Sequence, residues 1–257
     1  VSNVAIAIAG NSGSGKTTLS KMLANEMQRT VVLECDRYHK WERTDKNWET
    51  YTHLDPSANN LDSMQKDVKR LLDGKEIYQV NYDHSNGKFT ERERITPEKF
   101  ILVCGLHSFF FRNHDPYFLK IFMDTDEELQ VAWKLNRDKK KRGYSYREAA
   151  AQIEKREKDY QKYIIPQREM ADLCIRFLKN KSNKMTYSLE VEVAEKFCIE
   201  RLEHYLKSKE IDFTTIRQKG RNMIFFKNYR QIKANQRYNN FYDYIVIMIK
   251  GIIDGEY

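Results

Sequence analysis

Four cysteines, four prolines and ten glycines in 257 residues exclude several classes of protein. Cys35, Cys104, Cys174 and Cys198 form no CxxC pair and stand too far apart for a zinc knuckle. A disulfide scaffold is therefore not expected, and reduced thiols in a cytoplasmic protein are. So little glycine and proline rules out a collagen-like or linker-like chain. Long hydrophobic runs are missing as well. Val4 to Ala9 is short, and Tyr244 to Ile253 is broken by Lys250 and Gly251, whereas a membrane-spanning helix needs roughly 20 apolar residues. No secretory signal is expected before the first strand, and the six histidines lack zinc-ligand spacing.

What is present is a globular composition. The chain is 40% hydrophobic and 32% charged, with 16 Tyr and 13 Phe, enough for one large domain plus an appendage. The net charge of +8 is compatible with an anionic ligand, nucleic acid or a basic surface, and does not choose among them.

The apolar, β-rich run Val4 to Ala9 reads as a strand covered on both faces. Thr17 to Gln28 then sets Leu19, Met22, Leu23 and Met27 on one helical face. A strand at Val31 to Cys35, a helix at Leu61 to Asp73 stopped by Gly74, and strands at Phe100 to Cys104 and Lys120 to Met123 follow. Thr125 with Glu128 and Ser145 with Glu148 fit the capping box, predicting helices near 126–142 and 146–160. A strand at Leu173 to Leu178 completes a βα alternation that calls for a parallel sheet with helices on both faces. After residue 180 the pattern changes to a small βαββα-like C-terminal α+β appendage, predicted over 181–257 and of unassigned role.

Gly10, Asn11, Ser12, Gly13, Ser14, Gly15, Lys16 and Thr17 fit GxxxxGK[ST] between a predicted strand and a predicted helix, the context this phosphate-binding loop requires. Glycines let successive N–H groups turn toward phosphate oxygens. The helix N-terminus adds partial positive charge, Lys16 reaches the β- and γ-phosphates, and Thr17 offers a hydroxyl to Mg²⁺, with Thr18 following as a further nucleotide contact. The fold class is thus α/β of the P-loop NTPase type. No guanine-reading NKxD is present, and motor motifs are missing, which leaves small-molecule phosphoryl transfer.

The second strand releases Asp36, His39 and Arg43 at its C-terminal end, where open α/β sheets bind ligands. This segment resembles the phosphoribulokinase and uridine kinase family, together with Leu54-Asp55-Pro56-Ser57-Ala58-Asn59-Asn60, Tyr82-Asp83-His84, Gly105-Leu106-His107, the run Ala132 to Asp138 with Arg142 and Gly143, and Pro166-Gln167 with Ala171-Asp172. The phosphoribulokinase branch is the nearer one, and the resemblance spans roughly 3–178. It implies a P-loop kinase domain over 1–180 with a lid at about 134–145. Asp36 becomes the general base, His39 and Arg43 hold a sugar phosphate with Tyr82, His84 and Lys134 as further acceptor contacts, and Arg137 and Arg142 close over ATP. The expected cofactors are ATP and Mg²⁺, the latter on Thr17 and Asp36, and the reference acceptor is ribulose 5-phosphate. Uridine or cytidine is the alternative.

Members generally carry Glu just before Gly-Leu-His, and here the position is Cys104, a soft thiol where Mg²⁺ prefers hard oxygen. Glu34, two residues before Asp36, is a substitute candidate. A second alternative is therefore a nucleotide-binding protein of weakened turnover. Ser14 and Glu34 stand where the plant-type regulatory cysteines are expected, which speaks against that redox control. The basic and aromatic tail, including Arg217, Arg221, Lys227, Phe225 and Tyr229, has the mixture found in nucleic-acid binders, but no recognition fold is legible and nucleic acid is not the expected partner. The apolar run Tyr244 to Ile249 is expected to be core or a homodimer interface.

Overall fold

The computed structural model describes residues 3–112, 115–142, 146–179, 187–226 and 241–255, with the side chains at 137–142, 146, 149, 152 and 187 outside the description. In chain order it contains β1 (Val4–Gly10), α1 (Lys16–Glu26), β2 (Thr30–Glu34), α2 (Leu61–Leu72), β3 (Ile77–Gln79), β4 (Tyr82–Asp83), β5 (Lys88–Phe89), β6 (Glu93–Ile95), β7 (Phe100–Cys104) and β8 (Tyr117–Thr125). There follow α3 (Glu127–Arg142), α4 (Tyr146–Asp159), β9 (Leu173–Lys179), β10 (Tyr187–Ala194), α5 (Ile199–Ser208), β11 (Phe213–Ile216), β12 (Arg221–Phe226) and α6 (Phe241–Asp254).

One eight-stranded sheet organises the molecule, in the order β11-β12-β10-β9-β8-β1-β7-β2. The five strands from β9 to β2 run parallel, and β10, β12 and β11 extend the sheet antiparallel. Because successive strand residues point to opposite faces, β1 serves two cores. Ile6 and Ile8 join α1, α5 and α6, while Ala5, Ala7 and Ala9 face the layer containing Leu61, Met64, Val68 and Leu71 of α2. Helices cover both faces, as the alternation of elements predicts.

The C-terminal segment has the βαββα order read from the sequence, and its strands prolong the central sheet instead of forming one of their own. The apolar run at its end is core of this chain: Phe241, Ile245, Met248, Ile249 and Ile252 of α6 are fully buried in the same cluster as Leu19 and Leu23 of α1. Five such side chains contribute on the order of 10 kcal/mol of gross burial energy, comparable with the entire net stability of a domain. Helix α6 is thus integral to the fold.

One local expectation shifts. The capping residue of α3 is Asp126, whose carboxylate accepts the Leu129 N–H at 2.8 Å, and Thr125 is still the last residue of β8. A side-chain oxygen two or three residues before a free amide is the better cap. The small hairpin pairs β3–β6 and β4–β5 carry too few residues for a periodic signal, and the sequence did not announce them. Ser145, Gly143, His114 and the tail over 227–240 lie outside the described residues. Among the described residues, no helix is long and apolar enough to cross a membrane.

Candidate active site

The phosphate loop links β1 to α1 with Gly15 at the helix N-cap in the left-handed region (φ 95°). Asn11 organises it. Its side-chain oxygen accepts the Ser12 N–H at 2.7 Å, and its carbonyl accepts from Ser14 N at 3.2 Å and from Lys16 Nζ at 2.6 Å. Ser14 and Lys16 are buried, whereas Thr17 and Thr18 present exposed side chains on the first turn of α1. Lys134 of α3 packs on this loop, since a Cβ on Gly13 would lie 3.2 Å from its Cβ. Arg137 and Arg142 belong to the same helix, and their side chains lie outside the described residues.

Strand β2 ends in a 3-10 turn over Cys35–Tyr38, and that turn is anchored on every side. The Tyr38 hydroxyl donates to Asp67 of α2 at 2.9 Å, Arg37 donates to Val80 O at 2.9 Å and pairs with Glu93 at 2.6 Å, and Asn60 N donates to Tyr38 O at 2.7 Å. The anchoring fixes Asp36 between two imidazoles. His84 Nε2 stands 3.0 Å from Asp36 Oδ2, and His39 Nε2 stands 3.5 Å from Oδ1. Burial alone would raise the Asp36 pKa, but the hydrogen bond from His84 and the charges of His39, His84 and His53 outweigh it and hold the carboxyl below the usual range. His39 moves the other way. Burial lowers its pKa against the pull of Asp36 and Asn59.

Tyr82 is buried edge-on to both His39 and His84, with centroids 5.2 Å away in each case. Arg43 supports this arrangement from behind, because its guanidinium donates to His84 O and its N–H to Gly87 O, which ties down the β4–β5 hairpin. Asp36, His39, His84, Tyr82 and Arg43 are thus brought together, while Lys134 lies with the phosphate loop. The two groups are separated by β7, which pairs with β1 on one side and β2 on the other. Strands spaced about 4.8 Å apart put them roughly 10 Å from one another, room for a phosphoryl group and its acceptor.

Cys104 ends β7 next to both groups. Burial pushes its thiol up to about 11 despite Lys16 nearby, so it is neutral and no ligand for a hard cation. Among the described residues, no group of three His, Cys, Asp or Glu side chains could hold a metal. Thr17 and Asp36 remain as oxygen donors. Such a sparse set suits Mg²⁺ arriving with phosphates and keeping several waters.

Three contacts had no signal in the sequence. Tyr160 hydrogen-bonds Asn11, its phenol pushed up to about 12 by burial and by Asp124. Tyr242 of α6 sets its hydroxyl 2.0 Å from where a Cβ on Gly15 would stand. Asn59 meets His39 across an isolated bridge. All three depend on the tertiary approach of distant segments.

His107, in the Gly-Leu-His turn, is buried, and burial lowers its pKa to about 4. The unfolded ring titrates near 6.5, so between about 6.5 and about 4 the unfolded chain binds the extra proton and stability falls as the pH drops. The shift corresponds to about 3 kcal/mol. Denaturant titrations at pH 7 and pH 4.5 should show less acid destabilisation in His107→Asn than in the wild type. Equal losses in the two would refute this source of acid sensitivity.

The family model described as "Phosphoribulokinase / Uridine kinase family" matches residues 5–183. The phosphoribulokinase of Synechocystis sp. is 32% identical over 200 residues, covering 75% of this chain and 60% of that protein. The chloroplastic phosphoribulokinase of Mesembryanthemum crystallinum is 35% identical over 195 residues, covering 68% of this chain and 49% of that one. A uridine kinase of Ligilactobacillus salivarius is 29% identical over 186 residues, 67% of this chain and 84% of its own. The chain thus spans about half to three-fifths of the length of these two phosphoribulokinases. The solved phosphoribulokinase from Rhodobacter spheroides superposes with a TM-score of 0.71 at 18% identity over 99% of both chains, which establishes the fold. With a family match that runs from the first strand past β9 and takes in both groups of side chains, the chain belongs to the phosphoribulokinase/uridine kinase family.

Proposed function

We propose that the chain is an ATP-dependent kinase that moves the γ-phosphoryl group to a hydroxyl of a small sugar phosphate. The observation that carries this reading is an ionised Asp36 held between His39 and His84 at the C-terminal end of β2, two strands from the phosphate loop. Asp36 Oδ1 accepts the proton as the acceptor O–H bond breaks. The oxygen forms its bond to the γ-phosphorus, and the bond to the bridging oxygen breaks to release ADP. Lys16 and the lid residue Arg137 offset charge on the equatorial oxygens, and Arg142 contacts the nucleotide. Thr17 and Asp36 would hold Mg²⁺, whose chemistry is to neutralise the β- and γ-oxygens. His39, Arg43, Tyr82, His84 and Lys134 form the acceptor side in this reading.

The named relatives support a phosphorylated pentose as acceptor. A second reading, uridine or cytidine, is supported by the fact that uridine kinases are matched over 84% of their own length. ADP release from ATP and Mg²⁺, measured across ribulose 5-phosphate, other pentose and polyol phosphates, uridine and cytidine, separates the two. Stimulation by a phosphorylated acceptor alone is the expected result, and stimulation by nucleosides alone would replace it with the second reading. No stimulation by any of them, with ATP still bound, would favour a nucleotide-binding protein.

Cys104 bears on that last outcome. Cys104→Glu supplies a hard carboxylate beside Lys16 and is expected to raise Mg²⁺-dependent turnover by about tenfold, the scale on which partners of a metal site act. Initial rates at saturating acceptor measure it. An unchanged or lower rate in a folded variant would remove Cys104 as a limit on the site.

A further inference from the structure

The end of α4 touches both halves of the site. On the acceptor side, Lys155 Nζ donates to Trp48 O at 2.7 Å and to Glu49 O at 3.1 Å, and the buried Thr52 hydroxyl donates to Asp159 Oδ2 at 2.7 Å. Lys155 and Asp159 are four residues apart and share one face of the helix. The Thr52 hydroxyl also accepts the Leu54 N–H at 3.1 Å, which leaves its one hydrogen for Asp159. Of the two grips the Lys155 one is exposed, where water competes, and the Thr52 bond to a carboxylate is the firmer. The segment held in this way carries Trp48 and His53, whose ring centroids are 3.9 Å apart, and the His53 ring lies 4.6 Å from that of His39.

The next residue faces the nucleotide side. Tyr160 is hydrogen-bonded to Asn11, whose side chain and carbonyl organise the phosphate loop. Consecutive residues diverge by about 100° around a helix axis, so Asp159 and Tyr160 reach in two directions from one point. A π-turn over Tyr160–Ile164, a rare element that occurs mostly at functional sites, follows α4 there. Beyond it Ile164 is fully buried, and Gln167 Nε2 donates to Leu106 O at 2.8 Å and to Tyr163 O at 3.0 Å, fastening the segment to the turn after β7. We propose that Asp159 and Tyr160 form a coupling joint, positioning residues through which nucleotide at the phosphate loop orders the acceptor-side segment 46–54 and a bound acceptor tightens nucleotide in return. Phosphates fix Asn11 and its loop, Asn11 holds Tyr160, and Asp159 holds Thr52. The second ligand then meets a segment already ordered, so its own ordering cost falls. Linkage makes the effect reciprocal, each ligand changing the other's affinity by the same factor. The two hydrogen bonds act in series, and loss of either breaks the connection.

One arm of the test needs no acceptor. Hydrogen exchange of the full chain is followed by mass spectrometry with and without saturating ADP. In the wild type ADP should slow exchange in peptides over 46–54 about fivefold, the low end of the usual coupling between two sites. Thr52→Val, which keeps the shape and loses the hydroxyl, and Tyr160→Phe, which keeps the ring, should each lose that protection while ADP still protects the phosphate loop. Thr52→Ser and Asp159→Asn preserve a donor and an acceptor for the same bond and should retain it. The double variant of Val at 52 and Phe at 160 should lose no more than either single one. Exchange over 46–54 that ignores ADP in the wild type, or protection that survives in Thr52→Val or Tyr160→Phe, overturns the joint. If one of these two variants does not fold, the other decides.

The other arm rests on the kinase reading. ADP is titrated calorimetrically with and without saturating ribulose 5-phosphate, a pair that cannot react. The sugar phosphate should tighten ADP about tenfold in the wild type, and the factor should fall below about twofold in Thr52→Val and in Tyr160→Phe. Thr52→Ser should restore it. A wild-type factor of one with the sugar phosphate bound, or a factor that both variants keep, overturns the coupling. Absence of binding and of turnover with every acceptor tried, alongside the expected exchange pattern, would reject the kinase reading while leaving the joint standing.

Discussion

Asp36→Asn is expected to lower kcat by about 10³-fold, in the middle of the range for removing a positioned general base. The amide is isosteric with the carboxylate, so the 3-10 turn over Cys35–Tyr38, held by Tyr38, Arg37 and Asn60 rather than by Asp36, should keep its shape. What disappears is the negative charge. An amide oxygen can still accept the hydrogen bond from His84, but it cannot take the proton that leaves the acceptor oxygen. Affinity for ADP in the absence of Mg²⁺ should be unaffected, because the contacts that organise the phosphate loop come from Asn11 and the start of α1. Steady-state rates with parallel ADP titrations provide the check. A variant that keeps turnover within about threefold of wild type would deny Asp36 the role of base.

Gly10→Ala should be the most damaging single change to stability in the loop. Gly10 adopts φ 135°, and a Cβ there would lie 2.2 Å from the main-chain oxygen of Met123 in β8. Strain at such a backbone angle costs of order 1–3 kcal/mol. The collision is with a paired strand rather than a flexible side chain, so β1 and β8 must part, which adds about 1–3 kcal/mol on the scale of overpacking. The sum, about 4 kcal/mol, corresponds to a fall in Tm of about 10 °C for a chain of this size. Gly74→Ala is the matched control. Its φ is 74° and nothing lies within 4 Å of the added methyl, so only the strain contributes. Thermal unfolding of both variants checks the comparison, and equal shifts would show that the approach to Met123 does not matter.

The sheet and its flanking helices were legible because their signals are periodic and local. Burial on both faces makes β1 and β7 continuous apolar runs, and the spacing of Leu61, Met64, Val68 and Leu71 marks the buried side of α2. The phosphate loop is a motif whose chemistry needs those residue types in that order. Other features were not legible for an equally physical reason. Nothing in the tail says that Phe241, Ile245 and Ile249 will cover α1, or that β10 will pair with β9, until the sheet edge exists to receive them. The same holds for the acceptor side. Asp36, His39 and His84 were readable as candidates, but the ring-to-carboxylate distances depend on a hairpin that Arg43 fastens from 41 residues away. The contact of Asn59 with His39 likewise forms only once their two segments meet.

The order of strands also governs when the loop can take shape as the chain is made. Strand β1 lies in the middle of the sheet, and its two neighbours are β7, starting at Phe100, and β8, starting at Tyr117. Neither hydrogen-bonding edge of β1 has its partner until about 90 further residues have been made. Pairings of such long sequence separation form slowly, because loop-closure entropy is spent before any contact repays it. A nascent chain therefore carries β1 as a bare apolar segment for several seconds at ordinary synthesis rates of about 5–20 residues per second. The phosphate loop is thus synthesised well before the strands that hold β1 in place, and nucleotide binding can reward folding only once β7 and β8 have been made.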